Sequence, residues 1–174
     1  MYSDEATPRL RDYKTTGRIE EAAMAMMTIE ELLRSKESRE VWSVSPKVTV
    51  FEALQKMADQ DIGALLVMEG ERLVGIFSER DYARKIILKG KSSLKTPVQE
   101  VMTDEIVTVP PEISIEQCME LMTECHIRHL PVMREGRLLG LVSIGDIVKA
   151  IITGQERFIA SLENYISGSD YGRI

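Results

Sequence analysis

The chain has 174 residues, of which 44% are hydrophobic and 29% charged, a composition typical of a globular protein with one domain or two small ones. Its net charge of −6 argues against a surface that binds nucleic acid or an anionic membrane, because both need a basic patch. No apolar run approaches the roughly 18 residues of a membrane-spanning helix, and residues 1–26 contain no signal-peptide core. We therefore expect a cytoplasmic protein that binds neither nucleic acid nor a membrane.

The elements predicted from the sequence fall into six consecutive segments. Thr28 and Glu31 have the spacing of a capping box, which predicts the start of a helix. Apolar residues at helical or alternating spacing, separated by polar turns, mark the longer segments that follow. The predicted segments are an extension at 1–27, a helix at 28–40, a first unit at 41–90, a linker at 91–100, a second unit at 101–153, and a C-terminal helix and tail at 154–174.

The two units are copies of one pattern. Residues 41–87 match residues 106–152 without a gap, so that each residue of the first copy falls on the residue 65 positions later. Each copy is predicted to contain a short extended segment, a helix, a buried strand, a polar turn, a second strand and a final helix. The sequence therefore predicts an α/β (α+β) fold made of two β-α-β-β-α units.

Both copies carry the motif Gly-x-x-Ser-x-x-Asp where the second strand meets the final helix. The motif consists of Gly75, Ser78 and Asp81 in the first copy and of Gly140, Ser143 and Asp146 in the second. One interpretation is structural: the serine caps the helix and the acid stabilises its N-terminus. The other is functional: the carboxylate can accept two hydroxyl hydrogen bonds from a ribose, each contributing roughly 1.5–3 kcal/mol. The residues alone leave both interpretations open.

The tandem units, with this motif in each and IRHLPV in the second, resemble a pair of CBS domains (cystathionine-beta-synthase domains), a Bateman module, over residues 41–152. The resemblance implies that the units pack by their sheets about a pseudo-two-fold axis, between flanking helices, and leave two clefts. It implies that the clefts bind adenosine-containing ligands: AMP, ADP, ATP, NAD(H) or S-adenosylmethionine. It also implies a homodimer, because such pairs commonly dimerise into a flat disk.

The resemblance assigns four residues to one of the clefts. The serine and aspartate of the motif, Ser78 and Asp81, would hold the ribose hydroxyls. Arg128 and His129 match the position where the family places basic residues that meet a phosphate. A surface charge cluster is the alternative interpretation of this basic pair. This cleft is expected to favour a phosphorylated adenylate, with AMP ahead of ATP, ADP and NAD(H).

The other cleft would use Ser143 and Asp146 for a ribose. The positions opposite them in the first copy are Gly63 and Ala64, which are neutral, so the two clefts are expected to differ.

Further residues have weaker assignments. Arg80 and Arg84 would supply charge to the second cleft or to a longer ligand, or they form an ordinary basic helix face. The positions that line the adenine and the α-phosphate in the family, or that simply pack as strands, are Ser43, Val44, Thr108 and Val109.

Cysteine and histidine residues give no pattern of a metal site. Cys118 and Cys125 lie seven residues apart on one predicted helix, and we expect both to be reduced and structural. Cys125, His126 and His129 span the end of a helix and the start of a strand, a spacing that fits no standard zinc pattern. No metal is therefore expected to be required.

The leading functional hypothesis is a regulatory module that senses an adenine nucleotide and acts on a separate, unidentified protein. The alternative is a structural dimer or adapter whose clefts are inert. We expect no enzyme and name no catalytic residue, because the sequence contains no nucleophile–base pair and no glycine-rich phosphate loop. A C-terminal stripe packs on its own domain or forms a dimer contact, and it consists of Phe158, Leu162, Tyr165 and Ile166.

Overall fold

The computed structural model describes residues 27–36 and 40–168. Almost all of the predicted extension and residues 169–174 of the tail lie outside the described residues. The helices are α1 (Ile29–Ser35), α2 (Val50–Asp59), α3 (Glu79–Asp81), α4 (Ile115–Glu124) and α5 (Ile144–Gly168). The strands are β1 (Ser43–Val44), β2 (Ala64–Glu69), β3 (Arg72–Ser78), β4 (His129–Arg134) and β5 (Arg137–Ser143). Shorter turns are a π-helical turn (Tyr82–Ile86) and 3-10 turns at Ile87–Lys89 and Val98–Glu100.

Each copy forms a small sheet with the predicted connections. β1 pairs in parallel with β2, and β2 pairs antiparallel with β3. In the second copy β4 pairs antiparallel with β5, and Val109 forms a parallel bridge to Val132 in the place of a first strand. Both hairpins shift register at the same point, after Val67 and after Val132. The two copies therefore share their backbone path as well as their sequence pattern.

Reciprocal capping boxes start the helices. Thr28 begins α1 with the predicted box, and Thr49 and Ser114 begin α2 and α4 in the same way. In each box the hydroxyl accepts the N–H of the residue three positions on, whose own side chain accepts the N–H of the cap. The caps satisfy backbone groups that the first helical turn leaves without a partner.

The helix α1 completes the core of the second copy. The backbone N–H of Ile29 donates to the carbonyl of Ile113 at 2.9 Å, and the N–H of Ile115 donates to the carbonyl of Met27 at 3.1 Å. Ile29 and Leu32 are buried in the same cluster as the second copy's own strands and helices. The helix predicted as a flank is thus part of a core that begins some eighty residues further along the chain.

Residues 96–103 complete the core of the first copy, as α1 completes that of the second. The N–H of Val98 donates to the carbonyl of Val48 at 2.9 Å, and the N–H of Val50 donates to the carbonyl of Thr96 at 2.9 Å. Val98 and Val101 are buried in the first core. Thr96 and Val98 of the predicted polar linker are therefore buried. Each copy is closed by a covering segment that precedes the other copy: residues 96–103 cover the first copy, and residues 27–36 cover the second.

Two glycines of the repeated motif leave space for the segments that cover the two copies. A Cβ on Gly140 would lie 2.9 Å from a methyl group of Leu33 in α1, and a Cβ on Gly75 would meet the side chain of Met102. The glycine of Gly-x-x-Ser-x-x-Asp thus makes room for the covering segment in both copies.

The final helix of the second copy continues into the predicted C-terminal helix. α5 runs without a break through the predicted boundary at residue 153. Phe158 and Ile159 on this helix are 47% and 54% exposed, and the side chains of Leu162, Tyr165 and Ile166 lie outside the described part. Within residues 27–36 and 40–168, no helix is both long and apolar enough to cross a membrane.

Candidate functional site

A cleft of about 1110 Å³ opens between the two copies, and we call it the first cleft. Ser78 and Asp81 from the first copy and Arg128 and His129 from the second line it together. Ligand pockets are commonly about 300–1000 Å³, so the first cleft has room for a nucleotide. Its wall also includes Gly63, Ile76, Glu79, Arg80, Arg84, Lys85, Thr103, Glu105, Ile106, Val107, Met122, Thr123, Cys125, His126, Ile127 and Ile144.

The carboxylate of Asp81 is fully engaged within the chain. Its Oδ2 accepts the N–H of Ser78 at 3.0 Å and the hydroxyl of Ser78 at 2.7 Å, which is a capping box. Its Oδ1 accepts the hydroxyl of Thr103 at 3.1 Å and pairs with the ammonium of Lys85 at 2.8 Å. The structural interpretation of the motif therefore holds in the first copy, and a ligand at Asp81 would have to exchange with Lys85 or Thr103.

The chain enters a π-helical turn directly after Asp81. Arg84 and Lys85 lie on this turn and line the first cleft. The corresponding residues 147–151 of the second copy belong to the regular helix α5. Such turns occur frequently at functional sites, because they redirect side chains from the regular helical face. This feature distinguishes the first cleft from its counterpart.

The basic side of the first cleft combines a neutral and a charged group. Burial lowers the pKa of His129, and Arg128 and Lys36 act in the same direction, against the opposing charges of Asp146 and Glu79. His129 is therefore uncharged at neutral pH and can donate or accept a hydrogen bond. Arg128 is exposed and forms no ion pair with any described side chain, so its charge is available to an anion.

The second carboxylate has a different environment. Oδ2 of Asp146 accepts the N–H and the hydroxyl of Ser143, both at 2.8 Å, and pairs with the ammonium of Lys36 at 3.0 Å. Burial raises the pKa of Asp146, but the hydrogen bonds from Ser143 and Lys36 outweigh it and hold the pKa below its usual value. The cavity beside Lys36 measures only about 40 Å³.

The remaining predicted site residues fall into two groups. Arg80 and Arg84, predicted to serve the second cleft, a longer ligand or an ordinary basic face, line the first cleft. The guanidinium of Arg80 also donates to the carbonyl of His126, which ties the start of α3 to the end of α4. Four residues were predicted to line an adenine, and they are Ser43, Val44, Thr108 and Val109. None of them lines the first cleft.

Val109 is buried against the second core, which is the strand-packing alternative. The neighbouring Ile106 and Val107 line the first cleft in its place. An apolar pair three residues before the bridging strand position was the signal in the sequence that could have identified them.

Comparison with known proteins assigns the fold to a family. The model of the CBS domain matches residues 27–88 and 98–153. The chain belongs to the CBS-domain family. Both matched segments begin where a covering segment begins, at α1 and at the buried end of the linker. The resemblance and the fold class predicted from the sequence are thus confirmed.

Several CBS-domain proteins are similar to this chain over most of its length. A mitochondrial CBS domain-containing protein of Arabidopsis thaliana is 38% identical over 161 residues, which are 87% of this chain and 78% of the relative. A structure with CBS domains from Burkholderia ambifaria is 45% identical with a TM-score of 0.71, covering 73% of this chain and 95% of the other. A hexameric CBS-CP12 protein from bloom-forming cyanobacteria is 26% identical with a TM-score of 0.63, covering 71% and 67%.

CBS-pair proteins are generally regulatory modules that bind small ligands. In the described part of this CBS pair, no group of three or more His, Cys, Asp or Glu side chains could hold a metal ion. Cys118 and Cys125 are free, and burial raises the pKa of the Cys118 thiol to about 11.

Proposed function

We propose that this CBS pair is a regulatory module that binds one adenosine-containing ligand in the first cleft. The observation that carries the proposal is the junction of Ser78 and Asp81 from one repeat with Arg128 and His129 from the other, around a space of about 1110 Å³. A carboxylate for a diol and a cation for a phosphate, held on opposite walls, match the two polar ends of a nucleotide.

Binding of the ribose requires an exchange at Asp81. The ammonium of Lys85 pairs with Asp81 and also donates to the carbonyl of Met102 at 3.2 Å and to the hydroxyl of Thr103 at 3.3 Å. Each hydrogen bond from a ribose hydroxyl to the carboxylate would contribute roughly 1.5–3 kcal/mol. Two such bonds from a diol would compensate for the ion pair that Lys85 gives up.

The phosphate would lie against Arg128 and His129. Arg128 supplies the charge, and neutral His129 supplies a hydrogen bond at neutral pH. A single phosphate needs no more than this, which makes AMP the favoured ligand. Arg80 and Arg84 lie further along the same cleft and would accommodate ADP, ATP or NAD(H). No metal is proposed as part of the site.

We propose that the module regulates a separate protein target when it binds its ligand. We also propose that the chain forms a homodimer. α5 exposes apolar side chains that a second copy would cover: Val148, Ile152, Phe158 and Ile159. We propose the cytoplasm as the compartment. We propose neither catalysis nor a nucleic-acid or membrane partner.

One observation favours the alternative function, an adapter with inert clefts. The carboxylate of Asp81 already has four hydrogen-bonding or ionic contacts from Ser78, Thr103 and Lys85, so the folded chain does not need a ligand to satisfy it.

Calorimetric titration separates the two functions. The nucleotide-free protein is titrated in turn with AMP, ADP, ATP, NAD, NADH and S-adenosylmethionine. We expect saturable binding of an adenylate that Asp81→Asn weakens about 10- to 100-fold, because the neutral amide loses the charge-assisted bonds. Asp104→Asn is the matched control, since Asp104 is exposed and lies outside the lining of the first cleft.

A second variant tests the phosphate contact. Arg128→Ala should weaken AMP and leave adenosine unchanged, since only AMP carries the phosphate. If none of the six ligands binds, the adapter is correct. If Asp81→Asn binds as tightly as the wild type, the assigned ribose contact is wrong.

A further inference from the structure

The motif of the second copy carries an occupant that comes from its own chain. The ammonium of Lys36 lies 3.0 Å from Oδ2 of Asp146 and also donates to the carbonyl of Leu141 at 3.2 Å. The side chains of Lys36 and Asp146 are only 26% and 24% exposed. A positive group thus occupies the carboxylate that would hold a second ribose.

Lys36 is brought to this place by a well-anchored element. It is the C-terminal cap of α1, whose residues Ile29 and Leu32 are buried in the second core. The side chain of Leu33 from the same helix covers Gly140. The backbone that carries Lys36 is therefore fixed by the second core, whereas Lys85 lies on the π-helical turn and donates to the carbonyl of Met102 and the hydroxyl of Thr103 as well as pairing with Asp81.

The two aspartates differ in the origin and exposure of their basic partners. Lys85 belongs to the same repeat as Asp81 and its side chain is 40% exposed, whereas Lys36 comes from the segment before the repeats and its side chain is 26% exposed. The covering segment of the first copy brings Thr103 to Asp81 and no basic group. The two aspartates are equivalent by sequence, and their covering segments make them unequal.

We propose that Lys36 is a built-in occupant of the second cleft, so that each chain takes one adenosine-containing ligand and not two. The proposal rests on the proposed function of the first cleft. It makes Lys36 the residue that determines the number of ligands and Asp146 a structural partner in the wild-type protein.

The test is the stoichiometry of binding to the full chain, measured by calorimetry with AMP, ATP and NADH as probes. The wild type should bind one ligand per chain, and Asp81→Asn should abolish or weaken that binding. Lys36→Met, which shortens the unbranched side chain by one atom and removes its charge, should bind two ligands per chain. The second ligand should no longer bind when Asp146→Asn is combined with Lys36→Met.

Two variants control for indirect effects. Lys36→Arg keeps the charge and should bind one ligand per chain. Lys47→Met removes an exposed lysine and should also bind one. Circular dichroism and thermal unfolding establish that each variant is folded.

The outcomes separate this inference from the proposed function. Two ligands on the wild type, one of them lost in Asp146→Asn, would overturn the role of Lys36 and leave the first cleft intact. Binding of only one ligand to a folded Lys36→Met variant would also overturn the role of Lys36 and leave the first cleft intact. Absence of binding in every variant would overturn both proposals, and binding only to Lys36→Met would overturn the first cleft alone.

Discussion

The two copies of the motif give the same helix cap and two different clefts. In both, the serine and the aspartate form a capping box with nearly identical distances. Around Asp81 the partners are Thr103 and Lys85, and all three residues line the open first cleft. Around Asp146 the partner is Lys36 at the end of α1, and its side chain is three-quarters buried. A repeated motif thus specifies the backbone, and segments outside the repeat decide what each copy can bind.

The largest expected effect tests whether α1 belongs to the second repeat. Ile29 is fully buried, so Ile29→Ala should lower the free energy of unfolding by about 2–5 kcal/mol. Val98 has the equivalent place in the first repeat, and Val98→Ala should cost less because it removes one carbon fewer. Urea unfolding measures both changes.

Leu88→Ala is the control for these core variants. Leu88 is 76% exposed, and its truncation should change the free energy of unfolding by less than about 0.5 kcal/mol. If Ile29→Ala had an equally small effect, α1 would be a detachable flank, and the anchoring of Lys36 would be lost with it.

The next effect concerns two cysteines, Cys118 within α4 and Cys125 at its C-terminal cap, of which the first lies in the core and the second on the first cleft. Cys118 is buried and its pKa is raised to about 11, so it should react with iodoacetamide at pH 8 roughly 100-fold or more slowly than Cys125. Cys125 is partly exposed and lines the open cleft. Mass spectrometry after timed alkylation measures both rates, with Cys125→Ser to assign the fast site.

Protection by a nucleotide sharpens this measurement. AMP in the first cleft should slow the alkylation of Cys125, and Asp81→Asn should remove the protection. Equal rates at Cys118 and Cys125 would show that the native core opens more easily than its burial suggests.

Much of the fold could be predicted because it depends on local patterns. The ungapped match of the repeats, the alternation in the strands and the box at Thr28 are all visible in the sequence. The roles of the covering segments were not visible in the sequence. Ile29 is equivalent to Val98 at an offset of 69 residues, not 65, and the two segments share a few apolar positions and one glutamate, Glu31 and Glu100. A sequence comparison at one fixed offset cannot detect that relation.

The candidate site divides in the same way. Ser78, Asp81, Arg128 and His129 follow from motifs within the repeats, and they meet across one cleft. The partner Thr103 depends on a covering segment, which leaves no periodic signal. Lys85 lies four residues after Asp81, the spacing of an ion pair on a helix, and could have been found from it. Lys36 reaches Asp146 across 110 positions of sequence, a contact that only tertiary packing specifies.

A smaller effect compares the equivalent caps of α2 and α4. Thr49→Ala and Ser114→Ala should each lower the free energy of unfolding by about 1 kcal/mol. Hydrogen bonds from the backbone and hydroxyl of Thr49 lower the pKa of Glu52, so Thr49→Ala should also raise that pKa toward its usual value. Thermal unfolding and NMR titration measure these changes. The control is Thr123→Ala at an exposed position late in α4, and a similar loss there would show that hydroxyl removal alone explains the result.

The smallest effect is a pH dependence at His129, whose acidic neighbours are Asp146 and Glu79. Because burial lowers its pKa in the folded chain, the unfolded chain binds the proton more readily, and stability should fall as the pH drops below about 6.5. The slope from one such group is at most about 1.4 kcal/mol per pH unit. His129→Gln should flatten this part of the profile between pH 7.5 and 5.5 relative to the wild type. An identical slope in His129→Gln would mean that His129 is as accessible to protons as in the unfolded chain, and the first cleft would then present two cations to a phosphate at acidic pH and not one.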